Sequence, residues 1–97
     1  MVGKMKHNKE AIKGFALHLL KEHGYDKEVW NEDDIKSFVS EKFGVKWVGP
    51  KYNAKCGATF KPNENKVTEY GIYAKNFEAL CESVMWQIHN GYWKKEQ

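Results

Sequence analysis

Chemistry in this chain would have to come from its four histidines, two cysteines and scattered carboxylates, and their spacing gives it little support. His18 and His23 stand five residues apart, so on a helix they do not share a face as two metal ligands would. No C-x-x-C pair is present, and Cys56 and Cys81 both fall on apolar faces, where a thiol is a poor nucleophile. No serine sits in a nucleophile elbow and no glycine-rich phosphate loop occurs. His7, His89 and Glu69 are free to move protons, yet nothing in the sequence pairs them. The expectation is a protein without catalytic residues, metal or cofactor.

Binding has better candidates. The stretch "KYNAKCGATFKP" alternates Lys51, Asn53, Lys55, Gly57, Thr59 and Lys61 with Tyr52, Ala54, Cys56, Ala58, Phe60 and Pro62. Period-two alternation is the mark of a half-buried strand. It places Tyr52, Cys56 and Phe60 inside and Lys51, Lys55 and Lys61 outside. Tyr73 and Glu69 of the next strand would share that outer face. Lysines beside an exposed tyrosine are the ingredients of a single-strand platform, where bases stack and lysines follow phosphates. Lysine also deters edge-to-edge pairing on exposed strands, and that plain reading comes first. Trp86 lies about half a turn from the centre of its helix's apolar stripe. It is either a second-layer core residue or an exposed anchor of the kind that dominates protein interfaces. Tyr92 and Trp93 follow a helix-ending glycine and either fold back on the core or dock a partner.

The elements that must position these residues are legible. "HNKEAIKGFALHLLKEHGYD" is a helix with Asn8 as N-cap, Gly24 beyond its end, and Ala11, Ile12, Phe15, Ala16, Leu19 and Leu20 on one face. Leu17 points away from that face. "WNEDDIKSFVSEKFG" is a second helix, capped by Asn31, with Glu32, Asp33 and Asp34 in the turn where the dipole favours negative charge. Its stripe is Ile35, Phe38, Val39 and Phe43, with Trp30 and Ile35 at staple positions. "VKWV" is a short strand, Gly49-Pro50 a turn, and the lysine stretch a long strand. "PNEN" turns into a last strand, "KVTEYGIYAK", with Tyr70 and Ile72 on the core side. Asn76 caps a final helix whose stripe is Phe77, Leu80, Cys81, Val84, Met85 and Ile88. The order is α-α-β-β-β-α: an α+β domain, residues 1–97 as one unit, with helices over one face of a small antiparallel sheet.

Charge narrows the partners. The net charge of +3 is unevenly spread: Lys46, Lys51, Lys55 and Lys61 fall in a stretch without acids, while Asp26, Glu28, Glu32, Asp33 and Asp34 cluster. All basic residues are lysine. Without arginine there is no bidentate fork to read guanine edges, which argues against sequence-specific duplex reading. No apolar run is long enough to span a bilayer, and two cysteines suit a reducing compartment. A cytoplasmic monomer or homodimer, off the membrane, is expected.

From Asn31 onward the order α-β-β-β-α resembles that of the double-stranded-RNA-binding domain, over about two-thirds of the chain. Gly49-Pro50-Lys51-Tyr52 and the helix start at Lys75 fall at matching places. The lysine cluster that the family carries at that helix start is missing: the residues are Ala74, Lys75, Asn76, Phe77 and Glu78. A small non-enzymatic binding protein is therefore expected. The first reading is a protein-binding regulator or inhibitor, of phage or mobile-element type, anchored by Trp86, Tyr73 and Trp93. The alternative is a low-specificity nucleic-acid binder. It would use Lys51, Lys55, Lys61 and Tyr73 on the sheet, or Lys46, Lys51 and Lys75 around the Gly49-Pro50 turn.

Overall fold

A computed structural model of the chain describes residues 9–61 and 69–91. The elements follow the order expected: α1 (Lys9–Glu22), α2 (Glu32–Phe43), β1 (Lys46–Val48), β2 (Cys56–Phe60), β3 (Tyr70–Ala74) and α3 (Phe77–His89). Local chemistry explains the helix boundaries. The Asn31 side chain accepts from the Asp34 N–H at 3.0 Å, and the Asn76 side chain accepts from the Ala79 N–H at 2.8 Å. Each supplies one of the acceptors that a first helical turn lacks. Gly44 ends α2 in the left-handed region, at φ 73°, with its N–H bonded to the Ser40 carbonyl. The cap Asn8, the turn at 62–65 and the tail carrying Tyr92 and Trp93 lie outside the described residues.

The strands form one antiparallel sheet in the order β1-β2-β3. Trp47 pairs with Ala58 and Ala58 with Ile72, so one face carries Trp47, Ala58, Phe60 and Ile72. Helix α3 covers that face against β2 and β3 and also packs against α1. Its whole expected stripe, Phe77, Leu80, Cys81, Val84, Met85 and Ile88, is buried. Trp47 ties β1 to α2: its indole N–H donates to the Lys36 carbonyl at 3.0 Å, and its ring meets Phe77 at 5.6 Å. Between α1 and α2, Tyr25 is buried and the Trp30 ring meets Phe77 at 5.9 Å, tilted by 56°. Among the described residues no helix is long and apolar enough to cross a membrane.

Three expectations are corrected. The lysine stretch is not one long strand. Val48 pairs with Gly57, and the same register continues to a bridge between Lys51 and Ala54. The chain therefore reverses at Tyr52-Asn53, not at Gly49-Pro50. Second, Tyr52 is not inside: it sits at the tip of the hairpin, 73% exposed. A two-residue hairpin loop of this kind needs positive φ at both central positions, and Tyr52 (54°) and Asn53 (64°) supply it. Strand parity ends where such a loop begins, which is why alternation misplaced the tyrosine. Third, the α1 stripe is buried only in its second half. Ala16, Leu19 and Leu20 are covered, while Ala11 is exposed, Ile12 half-buried and Phe15 42% exposed.

Candidate functional site

The far face of the sheet has no helix on it among the described residues. Register places Lys46 and Val48 of β1, Gly57 and Thr59 of β2, and Gly71 and Tyr73 of β3 there. Tyr73 lies flat across the two glycines. A Cβ on Gly57 would fall 2.3 Å from Tyr73 Cδ1, and one on Gly71 would fall 2.9 Å from Tyr73 Cε2 and Oη. Glycine inside a strand weakens it by roughly 0.5–1 kcal/mol relative to alanine, so these positions mark a close approach rather than good strand chemistry. Here they clear a bed for one aromatic ring on the solvent side.

Tyr52 reaches over the hairpin tip to this ring. The two tyrosines meet edge to face, centroids 5.1 Å apart and planes at 80°. Lys51 Nζ stands 5.2 Å from the Tyr52 centroid, a cation–π contact. The left-handed backbone at Tyr52 costs about 1–2 kcal/mol for a residue with a Cβ. The site thus combines a backbone conformation that tyrosine disfavours with a large ring held in water. Such outliers are retained most often where function uses them. Sequence reasoning had Tyr73 and Lys51 and missed Tyr52; the available signal was Asn53, a residue that tolerates the left-handed region and marks a tight loop.

Lys46, Lys51, Lys55, Lys61 and Lys75 are all exposed. Lys46 and Lys61 line a shallow depression of about 100 Å³ with Gly44, Thr59, Phe60 and Glu69. The Lys55 N–H donates to the Ala74 carbonyl at 3.1 Å, which fixes its backbone beside β3. On the helical side Lys13 is matched with Glu10, Lys21 with Glu28, Lys27 with Asp34 and Lys36 with Glu32, while Lys9 and Lys42 make no ion pair with a carboxylate among the described residues. Lys46, Lys51, Lys55 and Lys75 make no ion pair with a carboxylate among the described residues. The sheet side thus carries positive charge that the described carboxylates leave uncompensated.

The anchors of the first reading are not brought together. Tyr73 faces away from α3, and Trp86 is on α3 itself, 45% exposed. Trp86 borders a depression of about 190 Å³ lined by Glu82, Ser83 and Gln87, a polar setting rather than an apolar groove. Trp93 lies outside the described residues.

The groups with reactive side chains are placed quietly. Both cysteines are free thiols. Burial pushes the Cys81 thiol up to about 12, with the Glu78 and Glu82 charges adding to it, so it stays protonated at neutral pH. Cys56 is also raised, mainly by burial, and its S–H donates to the Ala74 carbonyl at 3.5 Å. His23 Nε2 meets His89 Nδ1 at 3.3 Å where the ends of α1 and α3 come together. Among the described residues no three histidine, cysteine or carboxylate side chains converge to hold a metal ion. No protein-family model, no curated protein and no solved structure matches the chain, so the likeness to the double-stranded-RNA-binding domain stays one of element order.

Proposed function

We propose that the chain is a non-enzymatic binding protein that holds nucleic acid, with low sequence specificity, on the outer face of its sheet. One observation carries this: Tyr52 is held exposed at the hairpin tip against Tyr73, with Lys51 over its ring. Stacked aromatics are worth about 1–3 kcal/mol per base, and lysines track the backbone as point charges. Lys46, Lys51, Lys55, Lys61 and Lys75 on the sheet side suit a polyanion. The absence of arginine fits binding without base-edge readout.

The test is binding of labelled single-stranded and duplex RNA and DNA at two salt concentrations. Affinity should fall steeply with salt, because each neutralised phosphate releases counterions. Changing Lys51, Lys55 and Lys61 together to glutamate should abolish most binding while the fold, checked by circular dichroism, persists. It should also flatten the logarithmic salt dependence by about 2, at roughly 0.7 per phosphate contact on a single strand. No binding at low salt to any of the four probes would end this reading.

The exposure of Trp86 favours a second reading, a regulator that docks on a protein partner through α3. It predicts that Trp86→Ala folds normally and loses a partner that the unaltered chain retains. An unfolded Trp86→Ala would instead make the tryptophan structural.

A further inference from the structure

The contact between His23 and His89 does something that neither the fold nor the binding face requires. His23 follows the last turn of α1, and His89 is the last residue of α3. Their rings stand at 89° with centroids 5.4 Å apart, and Nε2 of one faces Nδ1 of the other at 3.3 Å. His23 also meets the Phe43 ring of α2 edge-on at 5.5 Å. A single ring thus touches the ends of all three helices. With no third donor completing it among the described residues, the pair lacks the ligand set of a metal centre.

We propose that His23 and His89 form a proton-sensitive clasp, which holds the C-terminal ends of α1 and α3 together and opens when both imidazoles are charged. The contact needs an N–H on one ring and a lone pair on the other. A first proton leaves that arrangement intact, because an imidazolium can donate to a neutral imidazole. A second proton sets N–H against N–H and charge against charge.

The surroundings push the same way. His23 lies below its ordinary value, first through burial, then through the charges of His89 and Lys42, with Glu22 opposing. Glu22 is shared, since its carboxylate also sits 4.0 Å from His18 Nε2 on α1. Lys42 of α2 adds positive charge where a second imidazolium would stand. Because the folded chain holds His23 below its unfolded value, the unfolded chain binds more protons in that window. The stability this contributes is fully present above about pH 6.5 and is lost as pH falls through the lower folded value.

Two measurements test this. Melting temperature would be followed from roughly pH 7.5 to 5.5, above the range where most carboxylates titrate. The unaltered chain should lose at least about 3 °C more across that window than His89→Gln, which retains an amide but cannot charge. Parallel curves would overturn the clasp. Histidine NMR titration of the unaltered chain provides a readout that does not depend on the variant folding. The expected result is that His23 titrates below its ordinary value, as burial and its charged neighbours require. An ordinary or raised value for His23 would overturn it.

Discussion

The two faces of the sheet treat aromatic rings in opposite ways. On the inner face Trp47 packs against Phe77, and its one polar atom is satisfied by the Lys36 carbonyl. Its neighbours across the strands, Ala58 and Phe60, are buried. On the outer face Tyr73 rests on two glycines, and Tyr52 beside it is largely in water. The inner ring is surrounded by residues that gain from covering it. The outer pair is held up by residues that cost stability: glycines in mid-strand and a tyrosine with positive φ. One face holds the fold together, and the other leaves its rings largely uncovered at a cost in stability.

The largest expected effect lies on the inner face. Trp47→Ala should cost about 3 kcal/mol, read by urea unfolding, from a lost large ring and the lost indole hydrogen bond to the Lys36 carbonyl. Tyr73→Ala should cost clearly less, because its removal opens no internal cavity. Equal losses for the two variants would erase the distinction and make the outer face a second core.

Gly57→Ala comes next, at about 1–3 kcal/mol, the usual range for forcing a methyl into occupied space. The new Cβ would contest the position of Tyr73 Cδ1 and also fall 3.0 Å from Val48 Cγ2. The ring must lift, so near-ultraviolet circular dichroism should change and nucleic-acid binding should weaken. An unchanged spectrum with intact binding would mean that the glycine bed does not seat the ring.

Most of the fold could be read in the sequence because its signals are local or periodic. Asn31 and Asn76 are caps by their own side-chain chemistry, and the α3 stripe is continuous because one helix face meets both the sheet and α1. The parts that could not be read depend on partners that periodicity does not see. The spacing of Ala11, Ile12 and Phe15 shows which side of α1 is apolar, but not that cover stops near Ala16. Half a turn of offset could not say whether Trp86 was covered. At the site, alternation placed Tyr73 on the outer face. It misplaced Tyr52, because the left-handed pair Tyr52-Asn53 ends the strand and with it the parity rule on which the face assignment rested.

The smallest effect on stability tests the comparison most closely. Tyr52→Asn keeps the loop short and replaces a disfavoured residue with one that tolerates positive φ. Relief of roughly 1–2 kcal/mol of backbone strain is set against roughly 0.5–1.5 kcal/mol for the lost edge-to-face contact with Tyr73. Thermal unfolding should therefore show a change between a loss of about 0.5 and a gain of about 1.5 kcal/mol. Binding of a labelled single strand should fall about 5- to 150-fold, the loss of one stacked base. Both results are what a presented ring requires: the fold is little worse without it, and binding is much weaker. A larger loss of stability would instead mean that Tyr52 stabilises the hairpin through Tyr73 by more than its strain. The tip would then be an outlying piece of core, and the lysines around it only the wet side of a strand.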